Sequence, residues 1–321
     1  MNIVNFEKEH INEAKGIALA NYLEEKQFVK ELPQVNDIPD LSEFAENGLG
    51  VAALEDGKLV GYLCCYRPWD HAFDSIAKGT FSPIHAHGAV LENREKIYGM
   101  LYQAAAEKWV AQGITYHAIA LYAHDEKALR TLFRNGFGAR CADAVRSMDA
   151  VDCLSQPDFV LRELPKEEIA KIRDLRRRLS NHLGSSPCFM NAREQDFQNW
   201  LVGAESRESQ VYVAERNGLP ISFIEVESGG ENFIAEAEGM NNICGAFCLP
   251  EYRGTGIFAN LLNDVICRLR QQGVKYLGVD YETINPTANG AWNKYFTSYT
   301  CSVVRRIDEC ALQGTETDNM K

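Results

Sequence analysis

No stretch of the chain approaches the ~20 consecutive apolar residues that cross a bilayer, so a helical membrane protein is excluded and no membrane partner is expected. The opening residues, MNIVNFEKEH, carry neither a basic start nor an apolar core segment; a cytoplasmic protein is the expectation. None of the ten cysteines is arranged as Cys-x-x-Cys, and Cys64-Cys65 and Cys244…Cys248 lack zinc-site spacing. Most sit in apolar runs, as small buried hydrophobes in a reducing compartment would, and no metal is expected. Positive charge is short as well: 33 Lys and Arg face 45 Asp and Glu, a net −12. Divided after residue 155, the first half carries 15 basic and 22 acidic residues (−7) and the second 18 and 23 (−5). There is no acidic tail, and the even negative field repels a phosphate backbone, so no nucleic-acid partner is expected.

What is present is ordinary globular material: 321 residues, 45% hydrophobic and 24% charged, enough for two domains with buried cores. The chain repeats one pattern at about half its length. VAALEDGKLVGYL (51–63) and VYVAERNGLPISFI (211–224) each read as a β-hairpin turning at Asp56-Gly57 or Asn217-Gly218. Residues 96–121 match 256–281 as amphipathic helix, Gly113 or Gly273, and apolar strand. VRSMD (145–149) matches VRRID (304–308). Each half opens on a helical stretch, 9–26 and 166–183, and the joint falls near CLSQPDFVLRELP (153–165). The fold class is α/β (an α+β mixed sheet), with a central β–α–β crossover in each half.

The richest segment is GAFCLPEYRGTGIFANLLNDVICRLRQQG (245–273). An apolar strand runs through Pro250 into Arg253-Gly254-Thr255-Gly256, and a helix begins at once with Ile257 and Phe258. Unpaired N–H groups and the positive dipole of a helix N-terminus, preceded by glycines, make a main-chain pyrophosphate cradle. The alternative is an ordinary strand-to-helix turn. No Gly-Lys-Ser/Thr follows and the third glycine of the dinucleotide fingerprint is missing, so neither a Walker loop nor that fingerprint is present.

The segment resembles motif A of the GNAT superfamily of acyl-CoA N-acyltransferases, Q/R-x-x-G-x-G/A, through Arg253-x-x-Gly256-x-Phe258. Phe258 stands where the family has Gly or Ala. A second family signature is matched by Asn285, Ala288, Ala291, Trp292 and Lys294, with Phe296-Thr297 in place of Gly-Phe. The resemblance covers roughly 160–310. It implies tandem duplicated GNAT-like domains, each a twisted mixed sheet flanked by helices: residues 1–155 a degenerate copy and 156–321 the acyl-CoA-binding, catalytic copy. It also implies acetyl-CoA as co-substrate. The backbone of Phe247, Cys248 and Leu249 would pair with the pantetheine arm, the Arg253–Phe258 loop, Ile257 included, would hold the pyrophosphate, and Asn285 would bond the arm or the strand end; Trp292 and Lys294 belong to the same surface. In the first half, Asn93-Arg94-Glu95-Lys96 replaces the glycine loop, with Glu95 placed to repel phosphates, whereas DEKALRTLFRNGFG (125–138) keeps the second signature.

Direct acyl transfer to an amine needs a base for the amine, an oxyanion donor and an acid for the thiolate. The family's acid, a tyrosine seven residues after the asparagine, is Trp292 here; Tyr295, one turn on, is the substitute, or else a core or surface aromatic. Glu282 and Glu238 are candidate bases acting through water, or solvated surface acids. Cys248 reads as a strand residue and not as a nucleophile. His85-Ala86-His87, with His71, lacks a third metal ligand and reads as structural. The arginines of 173–178 read as a solvated helix face or as a patch near the adenosine phosphate. Two functions follow: an N-acetyltransferase acting on a primary amine of a small molecule or peptide, as monomer or homodimer, or a non-catalytic acyl-CoA sensor or partner-binding module. Transfer from aminoacyl-tRNA, known for tandem domains of this kind, is opposed by the negative field. Loops 24–48, 66–84 and 184–210 are the expected determinants of the acceptor.

Overall fold

The computed structural model describes residues 1–153, 158–190, 194–203 and 209–315. Residues 154–157 of the expected joint, and 191–193 and 204–208 of the third expected acceptor loop, lie outside the described residues. In chain order the first half contains β1 (Asn2–Asn5), α1 (Ile11–Phe28), α2 (Ser42–Glu46), β2 (Val51–Glu55), β3 (Lys58–Leu63), β4 (Gly79–Ser82), β5 (His87–Ala89), α3 (Arg94–Ala111), β6 (Tyr116–Tyr122), α4 (Glu126–Arg134) and β7 (Gly138–Ser147). The second contains β8 (Val160–Leu164), α5 (Arg173–Gly184), α6 (Glu194–Gly203), β9 (Gln210–Arg216), β10 (Leu219–Glu227), β11 (Met240–Cys248), α7 (Ile257–Gln271), β12 (Tyr276–Glu282), α8 (Pro286–Tyr295), β13 (Thr297–Ser298) and β14 (Thr300–Arg306). Among the described residues no helix is long and apolar enough to cross a membrane.

The chain divides into two compact units. The first takes 1–30, 34–142 and 298–321; the second takes 31–33 and 143–297. These units cross the sequence boundary after residue 155, because the closing strand of each half serves the other half. In the first unit β14 lies antiparallel along β6 over seven residues, from Thr300 opposite Tyr122 to Arg306 opposite Tyr116. In the second, β12 takes β7 as its outer neighbour, giving the order β7-β12-β11-β10-β9-β8. β8, which falls inside the expected joint, pairs β9 from Val160↔Glu215 to Leu164↔Val211.

The two hairpins form as the turn residues dictate. Asp56 and Gly57 have φ of 51° and 78°, and Asn217 and Gly218 of 53° and 78°, the pair of positive values that a two-residue hairpin turn requires. One apolar face of α3 packs on the first unit's strands through Ile97, Leu101, Ala105 and Trp109. Ile119 and Leu121 of β6 and Val303 of β14 belong to the same core. In the second unit Leu175 of α5 and Trp200 of α6 close over Val211, Val213, Phe223 and Phe247.

Candidate functional site

The second unit's site begins where two parallel strands part. β11 pairs β12 for four residues, Met240↔Tyr276 to Ile243↔Val279, and no further. On its other side β11 continues against β10 as far as Cys248, with a register shift between Glu225 and Val226 that leaves Cys244 as the extra residue. A bulge turns a strand, and here it steers β11 away from β12 just after their last pair. Gly245 follows the bulge; a Cβ there would come within 2.2 Å of the Arg176 guanidinium, which would have to shift to admit it.

Hydrogen-bond alternation decides which main-chain groups face the opening. Leu249 N–H donates to the Ile221 carbonyl. Antiparallel pairing therefore turns the odd-numbered residues 247 and 249 toward β10, and the Ala246 and Cys248 amides and carbonyls toward the opening. Of the three residues expected to pair with a pantetheine arm, only Cys248 presents its backbone there; Ala246 is its companion, and Phe247 and Leu249 are engaged with β10. The Phe247 carbonyl also accepts the Ser222 hydroxyl at 3.0 Å, and the Cys248 carbonyl accepts Arg253 Nε at 3.0 Å.

Beyond β11 a short turn, Pro250–Tyr252, leads into the glycine loop. Gly254 and Gly256 have φ of +76° and +89°, which strongly favours glycine at both positions, and nothing lies within 4 Å of a Cβ built on Gly254. Gly256 caps α7 without a side chain, and the first turn of α7 holds no acid, so its amides face outward uncompensated. The Thr255 hydroxyl turns back to the Tyr252 carbonyl at 2.7 Å, so this residue offers the loop its main chain only. Ile257 is buried under the helix.

A cavity of about 360 Å³ fills the opening, lined by Ala246, Phe247, Cys248, Arg253, Gly254 and Phe258 on one side and by Asn285, Ala288, Trp292, Lys294 and Tyr295 of the α8 region on the other, with Leu179 and His182 of α5 above. Two of the residues that depart from the family pattern touch each other: the Phe258 and Trp292 rings meet edge-on, centroids 5.5 Å apart. Tyr295 is half-buried on the cavity wall, with Lys294 Nζ 5.2 Å from its ring. Asn285 has its side-chain oxygen engaged within the protein. Its Oδ1 caps α8, accepting the amides of Thr287 (3.1 Å) and Ala288 (3.3 Å). The same oxygen lies 3.2 Å from His182 Nε2, so that nitrogen carries the proton and Nδ1 is left as an acceptor.

Glu282 ends β12, and its carbonyl accepts the Asn285 amide at 3.0 Å. Its carboxylate acts on Cys188, whose thiol is pushed up by burial and then by this charge; Glu282 is not among the cavity's lining residues. Glu238 is exposed and precedes β11, at the end of the strand opposite Cys248. The nine residues of β11, about 30 Å of strand, separate it from the loop, because β11 runs away from it. Glu238 is therefore not part of this constellation, and His182, which the sequence reading missed, is. Two of the four arginines at the start of α5 are anchored, since Arg176 bonds Glu225 at 3.2 Å and Arg177 holds Glu194 with two bonds of 2.6 and 2.8 Å, while Arg173 and Arg178 are exposed.

The corresponding place in the first unit is closed. Here the parting of strands is complete, since β4 pairs β6 and β5 pairs β3. The His87 imidazole bridges the gap, bonded to the Ala120 carbonyl of β6 and to the Tyr98 hydroxyl of α3. Helix α3 starts at Arg94, so a helical turn stands where the second unit has its loop. Arg94 is buried and ion-paired to Glu24 (2.8 Å) and Asp125 (3.2 Å), while also donating to the Ala89 carbonyl at 2.9 Å. Glu95, expected to face phosphates, lies instead near Arg130 and Arg134, 3.6 Å from each.

Residues 171–296 match the model of the acetyltransferase (GNAT) family. The second unit is built around a GNAT domain. A GCN5-related N-acetyltransferase from Sphaerobacter thermophilus shares the fold, with 13% identity, 95% of each chain covered and a TM-score of 0.59. An acetyltransferase of the GNAT family from Colwellia psychrerythraea matches at 11% identity over 96% of this chain and 100% of its own, with a TM-score of 0.46. No curated protein sequence matches the chain. The GNAT match covers the loop, the parting strands and the whole of α8, so the motif resemblance and the family match fall on the same residues.

Proposed function

We propose that the second unit transfers an acetyl group directly from acetyl-CoA to a primary amine of a small molecule or peptide. The observation that supports this most is the opening between β11 and β12 with the glycine loop at its mouth. A slot lined on one edge by strand amides suits an extended, amide-bearing arm, and a helix N-terminus free of acids suits its pyrophosphate. Cys248 N–H faces the slot and is the proposed donor to the carbonyl oxygen as it gains charge. His182 Nδ1 is the proposed base that takes the amine's proton, its ring set by Asn285. Tyr295 is the proposed acid for the departing thiolate. The same slot serves a non-catalytic acyl-CoA sensor, a reading favoured by Trp292 standing where the family has its tyrosine.

Release of free CoA thiol, measured across amino acids, polyamines, aminoglycosides and peptides, tests the proposal. Turnover with at least one amine is expected; CoA binding without turnover on any would establish the sensor. His182→Ala is expected to lower kcat by about 10²–10⁴-fold, with the KM for acetyl-CoA nearly unchanged.

A further inference from the structure

Beside the slot, on the far side of Phe258 and Tyr295, lies a second and larger cavity of about 630 Å³. Gly254, Gly256, Phe258 and Ala259 form one wall, Lys294 and Tyr295 another, and Arg146 with residues 150–153 the third. That third wall is strapped to α7: Val151 N–H donates to Asn263 Oδ1 at 2.9 Å. Arg146, next to last in β7, is only 8% exposed. Its guanidinium donates to two main-chain carbonyls, Ser147 at 3.0 Å and Asp149 at 2.6 Å, and lies over the Phe296 ring. Among the described residues no carboxylate stands within ion-pair distance of it, and Asp152, exposed, is the acid in the cavity's lining. Buried Arg94 and half-buried Arg176 differ. Arg94 holds two carboxylates and Arg176 one. Arg305, which occupies the same place in the repeated Val-Arg motif, donates to the Tyr102 hydroxyl at 3.2 Å.

A guanidinium kept from water without a counter-ion is costly, and an anion that reaches it removes the cost. Burial lowers the pKa of Arg146 from its ordinary value, while Asp149 and then Tyr295 act against the fall. The loop amides, the α7 N-terminus and Lys294 bring further positive potential to the same cavity.

We propose that Arg146 is the counter-charge for a phosphate group of the CoA donor, so that the first half of the chain supplies the charged side chain of the second unit's site. This rests on the donor reading above. CoA carries phosphate at two places, the pyrophosphate and the 3′-phosphate, and both have the chemistry that Arg146 fits.

Titration calorimetry on the full chain tests it with CoA, 3′-dephospho-CoA and pantetheine as ligands, and Arg146→Gln and Arg146→Lys as variants. Arg146→Gln is expected to weaken CoA about ten- to hundred-fold, Arg146→Lys to keep most of the affinity, and pantetheine to bind all three proteins alike. A loss confined to CoA assigns the 3′-phosphate; an equal loss with dephospho-CoA assigns the pyrophosphate; either supports the proposal. Unchanged CoA affinity in Arg146→Gln, or a matching loss for pantetheine, overturns it. A parent protein that does not bind CoA overturns the donor reading itself.

Discussion

His87 and His117 are held in the same tautomer by the same kind of neighbours. His87 Nδ1 faces the Tyr98 hydroxyl at 2.9 Å and its Nε2 the Ala120 carbonyl; His117 Nδ1 faces the Tyr102 hydroxyl at 3.0 Å and its Nε2 the Ile114 carbonyl at 3.1 Å. A carbonyl only accepts, so each Nε2 carries a proton, and burial disfavours the charged form of each ring. Burial drives His85, His87 and His117 from the ordinary 6.5 to about 4. Between these values the unfolded chain binds more protons than the folded one, so stability falls as the pH is lowered through that window. Denaturant unfolding of the first unit is expected to lose several kcal/mol, up to about 3 per histidine, on going from pH 7 toward pH 4. His117→Gln should flatten part of that slope; a slope unchanged in the variant would contradict it. His87 has both ring nitrogens engaged, which accounts for its place in His85-Ala86-His87. Legibility in the sequence also varies residue by residue. Gly254 and Gly256 can be read because the loop's positive backbone angles strongly favour glycine. His182 cannot, because its partner Asn285 is 103 positions away and no local pattern joins them.

The helices flanking the slot show how departures from a family pattern can compensate. Phe258 opens α7 and Trp292 lies in α8; each is larger than the residue usual at its place, and they pack on one another, with Phe296 also against Trp292 at 5.4 Å. The two changes are coupled through that contact. Phe258→Ala and Trp292→Ala are expected to destabilise less together than the sum of their separate effects, by about 0.5–1.5 kcal/mol in a double-mutant cycle read by denaturant unfolding. Additive losses would show that the rings do not depend on one another. The two helices with clear apolar periodicity, α4 and α7, lie where that spacing puts them, as do both hairpins. β8 is hidden in the sequence because its five residues lie inside a proline-bearing joint, and the bulge at Cys244 is hidden because its only local mark is Gly245 inside a strand.

At the scale of the whole molecule the repeat is legible and the exchange of closing strands is not. VRSMD and VRRID are nearly interchangeable in pattern, so nothing local specifies that the first passes into the second unit and the second returns to the first. A cut at residue 155 therefore leaves neither unit whole. The fragment 1–155 lacks β14, whose Val303 lies in the first core, and 156–321 lacks β7 and Arg146. Expressed separately, both fragments are expected to lack cooperative thermal unfolding, and their mixture to regain it; a stable, cooperatively melting 1–155 would contradict this.

The same exchange sets a timetable for synthesis. Thr300 follows its partner Tyr122 by 178 residues, about 10–35 s of translation at common elongation rates. Throughout that interval the edge of β6 that β14 will occupy is open. An open strand edge is a template for unwanted pairing. The nascent first unit is expected to leave that edge exposed until the last strand emerges.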